Sequence, residues 1–442
     1  MKKDGKRLTS RELAANFFHI HTPFTILTYN MHGPLYGYSW EVFDVLRWRW
    51  LALIIAILLA TGTCASLAEQ EATRENALDG LSSLVTESNR CDYDFTDKAL
   101  EYLTFIGENY PDRSETDSAH DAFGDWLMSE LEASGYAPTQ IEAQPFTGED
   151  MFGDPVQGRN IVLTVPGERD DEQIIVGAHY DGSGIGDNGS GVALLLATAA
   201  GLAHVEPEFT LKYIFFDREE EGRVGSRAYV GQMSDEAVAS TLYMINLDAL
   251  AFGDFCNIYG GVYGDDYDAD YIAVSEDEEA PQPEPEQLEG YVFAANTAER
   301  LGFRVYRPED LDGAFEANGR GMEPEEAFFT NPWTYAHPAP QSMEFMGPSP
   351  TTIGASDHAP FAVRGIPYIY FEATNWWAAG TDDSVSYMGY VETYDASKGD
   401  GGQFMNTDYD TLENLRTLFP GRAEQHYRLF SPLLSALLLA EE

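Results

Sequence analysis

The chain has 442 residues, and its 74 Asp and Glu side chains against 26 Lys and Arg give a formal charge of −48 at pH 7. This charge excludes nucleic-acid binding through a general basic surface, because such a surface would have to attract a polyanion. Hydrophobic residues make up 44% of the chain, which is enough to bury a full core and excludes a mainly disordered acidic protein.

The first predicted element is an export signal. Residues 1–50 carry seven basic and four acidic side chains, and Arg47 and Arg49 precede an apolar run at residues 50–60. Small residues and then acids follow this run, an order typical of a secretory signal. The run is shorter than the roughly 20 residues of a membrane-spanning helix. We therefore expect a periplasmic or extracellular protein, with an uncleaved N-terminal anchor or lipidation of Cys64 left open.

The pattern that follows predicts one α/β domain. We divide the chain into a basic segment with the signal (1–68), a linker (69–94) and this domain (95–442). A capped helical pattern covers residues 114–136, and another covers residues 192–203. The candidate strands are residues 160–165, 173–178, 211–216, 242–247 and 366–371. Their alternation with helices predicts a mostly parallel central sheet flanked by helices, with functional residues beyond the strand carboxyl ends.

An acidic segment interrupts this alternation. Residues 265–289 hold eleven acids and no Lys or Arg, so we predict a solvated insertion at about residues 264–290. A calcium site at its start stays open as an alternative, with Asp265, Asp266, Asp268 and Asp270 as ligands. The chain has three cysteines, which exclude a disulfide framework and leave only a Cys91–Cys256 pair open.

Side chains that bind metals follow several of the predicted strands. His179 ends one strand and Asp187 lies in the glycine-rich loop beyond it, so that an imidazole and a carboxylate can reach one divalent ion of the zinc class. Asp181 is placed to orient the His179 ring. Glu219 and Glu220 follow the next strand, where one carboxylate can ligate while its neighbour acts as a general base.

Two further strands add to the same set. Asp248 follows the strand at residues 242–247, and Ser356-Asp357-His358 precedes the strand at residues 366–371. The recurrence of His and carboxylates at strand ends favours a two-metal site. A competing pattern, Gly184-x-Gly186-x-x-Gly189, matches a dinucleotide-binding loop, but Asp187 would put a carboxylate beside the pyrophosphate.

Together these motifs resemble the M28 family of metallopeptidases over about residues 95–440. The resemblance implies a zinc-aminopeptidase architecture of the phosphorylase/hydrolase-like type with two zinc ions. It assigns His179 and Asp248 to one ion, Glu220 and His358 to the other, and Asp187 to both. Glu219 matches the general base, and Asp181 matches the acid that orients His179.

The segments at residues 245–250, 371–376 and 418–425 resemble the bacterial alkaline phosphatase isozyme conversion aminopeptidase branch, whose members are periplasmic. The resemblance implies an exported aminopeptidase acting on the N-termini of peptides or proteins. Glu372 is the candidate for binding the substrate's free amino group, and Asn406 stands where the family commonly has a His. A glutaminyl-cyclase-like acyltransferase, a carboxypeptidase and a non-catalytic binding module remain as alternatives.

Overall fold

The computed structural model describes residues 78, 80–114, 118–261, 289–306, 327–331, 356–375 and 392–442. The predicted export signal, Cys64 and residues 265–288 of the acidic segment, with all four candidate calcium ligands, lie outside the described residues. Within the described ranges, no helix combines the length and the apolar character needed to cross a membrane.

Strands and helices alternate along the described chain. The strands are β1 Ser82–Ser83, β2 Ile141–Glu149, β3 Pro155–Val165, β4 Arg169–His179, β5 Phe209–Phe216, β6 Thr241–Leu247, β7 Phe255–Gly261, β8 Arg304–Tyr306, β9 Ala327–Asn331, β10 Tyr368–Thr374 and β11 Ala440–Glu441. The helices are α1 Thr96–Asn109, α2 Ser118–Ala133, α3 Gly189–Gly201, α4 Val224–Gln232, α5 Asp235–Ala239, α6 Glu289–Arg300, α7 Ala359–Val363, α8 Leu412–Leu418 and α9 Arg422–Leu438.

Nine of the described strands form one sheet in the order β2-β3-β5-β4-β6-β10-β7-β9-β8. Strands β5, β4, β6 and β10 run parallel to one another, as do β7, β9 and β8. Antiparallel pairing joins β2 to β3, β3 to β5 and β10 to β7. The predicted α/β class with a mostly parallel sheet is therefore confirmed.

The five strands predicted from the sequence are β3, β4, β5, β6 and β10, at the centre of this sheet. Both faces of the central strands are covered. In β4, for example, Ile174 and Val176 belong to one hydrophobic core and Ile175 belongs to another on the opposite face. Because side chains on both faces are buried, these strands are continuous apolar runs rather than alternating ones.

Helix α3 is buried from Gly189 to Ala199. Its N-cap is Asn188, whose side-chain oxygen accepts a hydrogen bond from the Gly191 N–H at 2.9 Å. It packs against β4, β5 and β6 and is covered by α1, α2 and α9. A helix that is apolar all round fits such a position. The loop between the end of β4 at His179 and the start of α3 at Gly189 carries Asp187, so these two buried elements fix both ends of that loop.

The two ends of the described domain are joined. Strand β1 pairs with β11, with Ser82 opposite Glu441, and Leu81 and Val85 are buried in the main core. Part of the segment predicted as a linker therefore packs on the domain, while its outer boundary stays a prediction. Cys91 is exposed and Cys256 is fully buried, and both are free thiols, so they do not form the disulfide that the sequence left open.

We expect Leu195→Ala, in α3, to lower the free energy of unfolding by about 2–5 kcal/mol, because it removes a fully buried side chain and leaves a cavity. The matched control is Leu84→Ala, at a position that is 40% exposed, with an expected change within about 0.5 kcal/mol. Denaturant unfolding of the two variants checks this, and equal losses would contradict the buried position of α3.

Candidate metal centre

Three parallel strands bring the predicted ligands to one edge of the sheet. In the β4–β5 pair, His179 lies opposite Phe216, the last residue of β5. In the β4–β6 pair, Gly177 lies opposite Asn246, so His179 is level with Asp248 two residues further on. The residues that follow each strand therefore meet at the carboxyl edge, which is where ligand sites form in open α/β sheets.

His179, Asp187 and Asp248 form a buried group whose ligand atoms all lie within 4.8 Å of one another. The His179 Nε2 is 3.0 Å from an Asp187 oxygen and 3.4 Å from an Asp248 oxygen. Burial by itself lowers the pKa of His179, but Asp248, Asp181 and Asp187 raise it well above its ordinary value. The structure thus brings together three of the five predicted ligands around one point.

Asp181 connects this group to the predicted base. One of its oxygens lies 3.5 Å from His179 Nδ1, which places it behind the ring. The same carboxylate accepts backbone N–H bonds from Glu219 and Glu220, both at 3.1 Å. Burial opposes ionisation of Asp181, yet the His179 ring and these two N–H groups lower its pKa. Asp181 therefore holds the Glu219–Glu220 backbone next to the His179 strand end.

Glu219 and Glu220 lie in the turn between β5 and α4. Burial raises the pKa of both carboxyls well above the ordinary value, and nearby carboxylates raise them further. Asp357 contributes to the shift of Glu219, and Asp187 contributes to that of Glu220. Since nearby carboxylates, Asp248 among them, raise the pKa of both side chains, Glu219 and Glu220 lie close to the same group of acids.

His358 is the N-cap residue of the short helix α7 and is fully buried. Its ring stacks on Tyr368 and Tyr370, with centroid distances of 4.6 and 4.7 Å. Both ring nitrogens are buried without a hydrogen-bond partner, and burial lowers the pKa of the imidazole well below its ordinary value. A neutral imidazole is the form that binds metals. The ligand atoms of His358 and Glu220 lie outside the 4.8 Å group.

Ser356 links the His358 segment to Asp248. Its hydroxyl donates to Asp248 Oδ2 at 2.6 Å and accepts from the Asn246 amide at 2.7 Å. The other oxygen of Asp248 is buried without a hydrogen-bond partner and lies in the three-residue group. A carboxylate held on one oxygen with the other left open is the arrangement expected of an oriented metal ligand.

Buried polar atoms without a hydrogen-bond partner show whether these residues suit a metal ion. Buried polar atoms are nearly always hydrogen-bonded, so each exception needs a cause. Here the exceptions include Asp248 Oδ1 and both ring nitrogens of His179 and of His358. Imidazole nitrogens and carboxylate oxygens are the donor set of zinc-class ions. The residues present therefore fit a divalent cation at this edge.

The two predicted substrate residues lie outside the ligand group. Glu372 is buried on β10 and accepts hydrogen bonds from the Tyr370 hydroxyl at 3.1 Å and from Thr374 Oγ1 at 2.9 Å. Asn406 is exposed in the loop before α8, with a left-handed φ of 58°. Asp410, four residues later, is the buried side chain of this run, and the sequence pattern does not single it out.

Asp217, the first residue after β5, does not join the ligand group. One of its oxygens is 3.0 Å from His120 Nε2, and the other accepts the Arg159 N–H at 2.9 Å. Contact with Asp217 outweighs the effect of burial and raises the pKa of His120. A dinucleotide-binding site would need an acid at the next strand end to bind a ribose hydroxyl, which is the position of Asp217. Here His120 and the Arg159 N–H engage Asp217 instead.

The buried carboxyls give a test in the metal-free protein. Burial raises the pKa of Asp357 and of Asp410 to about 7, and that of Glu392 to about 8. The folded state therefore keeps protons that the unfolded chain releases above pH 4–5, so the free energy of unfolding falls as pH rises from about 4–5 to 7–8 and levels off above that. His426, whose pKa burial lowers to about 3, has the opposite effect, but only below about pH 6.5.

We therefore expect the melting temperature of chelator-treated protein to fall between pH 6.5 and pH 8.5. Glu392→Gln should reduce the slope, because an amide does not titrate in this range. Differential scanning fluorimetry at several pH values measures it. A melting temperature that stays level or rises over this interval would contradict the raised pKa values.

Comparison with known proteins relates this geometry to a family. Residues 160–287 match the model of peptidase family M28. The alkaline phosphatase isozyme conversion protein of Escherichia coli is 26% identical over 36% of this chain and 52% of its own length. A probable lipoprotein aminopeptidase of Mycobacterium tuberculosis is 35% identical over 22% of this chain and 20% of its own.

Among solved structures, a glutaminyl cyclase from an Acidobacteriales bacterium aligns with a TM-score of 0.48 at 15% identity, covering 78% of this chain and 95% of that one. The chain spans from a fifth to about half of the length of the two curated relatives above. The comparisons confirm the family resemblance that the motifs predict, since residues 160–287 carry the sequence pattern of M28 peptidases.

Proposed function

We propose that the protein is a zinc-dependent aminopeptidase that hydrolyses N-terminal residues from peptides or proteins. The observation that carries the proposal is the buried group of His179, Asp187 and Asp248 at the carboxyl edge of the sheet. The match of residues 160–287 to family M28 supports it, because that segment contains these three residues together with Glu219 and Glu220.

The proposed centre has two ions that share Asp187. His179 and Asp248 would hold one ion, and Glu220 and His358 would hold the other. The unpartnered ring nitrogens of His358 support the second position. The raised pKa of Glu220 supports it as well, since a nearby cation would favour its carboxylate form. Bound zinc would supply Lewis-acid polarisation of the scissile carbonyl and would make a nearby water more acidic.

Glu219 is the proposed general base. It would take a proton from the attacking water and return it to the leaving amine, so that the peptide bond is exchanged for a carboxylic acid and a free amine. Its burial supports this role, because a raised pKa brings a carboxyl closer to neutral pH, where proton transfer in both directions is efficient. Asp181 would keep the base in place through the backbone bonds described above.

We propose that Glu372 binds the substrate's amino terminus. Its buried carboxylate accepts hydrogen bonds from Tyr370 and Thr374, which fix its orientation on β10. It lies next to the centre in the fold: Phe371, the preceding residue, accepts a backbone hydrogen bond from Asp248 at 3.1 Å. Asn406 is proposed to contact substrate by donating a hydrogen bond, without the titration that a His would allow.

We also propose that the protein works outside the cytoplasm, with any membrane attachment through its N-terminal segment. The basic, apolar and small residues in sequence before residue 68 support export. The relative from Mycobacterium tuberculosis that carries the word lipoprotein in its name supports it as well.

Glu219→Gln should lower kcat by about 10²- to 10⁴-fold, because the amide cannot accept the water's proton. Zinc content should stay at about two ions per chain, since Glu219 is not a proposed ligand. Glu221→Gln is the matched control in the same turn, where Glu221 pairs with Arg218 at 3.1 Å, and it should keep near wild-type activity. Retained turnover in Glu219→Gln would remove it from the base role, and loss of zinc would make it a ligand.

A substrate panel tests the reaction itself. Aminoacyl arylamides with free amino groups should be cleaved, their N-acetylated counterparts should resist, and chelation should abolish cleavage until zinc is restored. Cleavage of blocked substrates alone would contradict an aminopeptidase. Cyclisation of a peptide with N-terminal glutamine, detected by mass spectrometry as loss of ammonia, would favour the acyltransferase alternative.

A further inference from the structure

The loop that carries Asp187 is held from one side by Arg113, which lies between α1 and α2 and is fully buried. The Arg113 guanidinium donates to the carbonyl oxygens of Tyr180 at 3.2 Å and Gly184 at 2.6 Å. Its backbone N–H donates to the Gly182 oxygen at 2.9 Å. One residue therefore fixes three carbonyl groups in the first half of this loop.

Asp410, in the loop before α8, holds the second half. Its Oδ1 accepts the Gly186 N–H at 2.6 Å, and its Oδ2 accepts the Asp187 N–H at 2.9 Å. Asp410 is buried and 223 residues away from Asp187 in sequence, so these bonds are long-range contacts. The backbone of a proposed metal ligand is thereby fixed by a side chain that is not itself in the ligand group.

The glycines of this loop make room for the Asp410 carboxylate. A Cβ atom added at Gly184 would lie 2.2 Å from Asp410 Oδ2 and 2.3 Å from the Asp187 carbonyl oxygen, and one added at Gly186 would lie 2.7 Å from the Phe252 ring and 3.1 Å from Asp410 Oδ1. The first distance is far inside van der Waals contact. The loop composition and the carboxylate are therefore matched to each other, which identifies the contact as a built feature of the fold.

We propose that Arg113 and Asp410 are positioning residues, a loop clamp that holds Asp187 in the orientation needed to bind metal. The donors and acceptors of the clamp are complementary: a cation binds the carbonyls of the loop and a carboxylate binds its N–H groups. The clamp acts on the backbone and leaves the Asp187 side chain free to face His179. This inference rests on the proposed metal centre and adds two residues that the family resemblance did not assign.

Asp410→Asn is the variant that tests the clamp. The amide oxygen can accept only from one side of the group, and the amide nitrogen would point a donor at a backbone N–H. Glu392→Gln is the matched control: Glu392 is a buried carboxyl beside the same small cavity as Asp410 and Asp187, but it accepts the Phe404 and Met405 N–H groups at 2.9 and 2.8 Å and bonds to no proposed metal ligand.

The measurement is zinc binding by the full chain without substrate, by competition with a chromophoric chelator, together with the visible spectrum of the cobalt-substituted protein. We expect Asp410→Asn to weaken zinc binding by about 10- to 100-fold, the usual effect of losing a group that orients a ligand, and to alter the cobalt spectrum. Glu392→Gln should leave both readouts unchanged. A purely structural role would lower the melting temperature of the metal-free protein in both variants without a difference in affinity.

Zinc affinity of Asp410→Asn within about twofold of wild type, with an unchanged cobalt spectrum, would overturn the clamp. Should Asp410→Asn not fold, Asp410→Glu decides in the same assay, because it keeps the charge while its longer side chain moves the oxygens away from the Gly186 and Asp187 N–H groups. Weakened binding there supports the clamp, and wild-type affinity overturns it. Wild-type protein that binds no zinc would overturn the proposed function as well, so the two failures are distinguishable.

Discussion

Concentrated negative charge in a buried place is the constraint on which the rest of this structure depends. Asp181, Asp187 and Asp248 are all buried at one edge of the sheet, and the half-buried Glu219 and Glu220 follow the neighbouring strand at the same edge. Unpaired buried charge is costly, so such groups must be protonated, hydrogen-bonded or bound to a cation. In the metal-free protein, Glu219 and Glu220 have raised pKa values, which favour the first solution, protonation. The third solution, binding a cation, would use the ring nitrogens of His179 and His358, which have no hydrogen-bond partner.

Buried carboxylates that accept hydrogen bonds from backbone N–H groups also fix the conformation of the loops. Three buried carboxylates each accept two consecutive backbone N–H groups: Asp181 from residues 219 and 220, Asp410 from residues 186 and 187, and Glu392 from residues 404 and 405. Each bond pair fixes one loop in one orientation. Because Asp181 fixes the turn of the proposed base and Asp410 fixes the loop of the shared ligand, the positions of both depend on acids that need not touch metal themselves.

The sequence predicts those parts of the fold whose signal is local. The central strands are continuous apolar runs, and the residues that follow them, such as His179 and Asp248, stand out because they end such runs. Arg113 and Asp410 could not be found in this way, since their partners are backbone groups of a distant loop and leave no pattern in their own neighbourhood. In the run from Asn406 to Thr411, the family resemblance points to the first residue rather than to Asp410. The edge strands β2 and β8 are only partly buried and lack the continuous apolar runs by which the central strands are predicted.

The glycine pattern after β4 illustrates why a motif needs its surroundings. In dinucleotide-binding proteins, glycines of this spacing let backbone N–H groups approach a pyrophosphate. Here the N–H groups of Gly186 and Asp187 face an anion too, but that anion is the Asp410 side chain. A phosphate would have to displace a buried carboxylate and would then lie beside Asp187, with like charges in contact. The N–H groups of this loop therefore bind the Asp410 carboxylate instead of an anionic ligand. By fixing the loop, Asp410 supports Asp187, which is proposed to bind a cation.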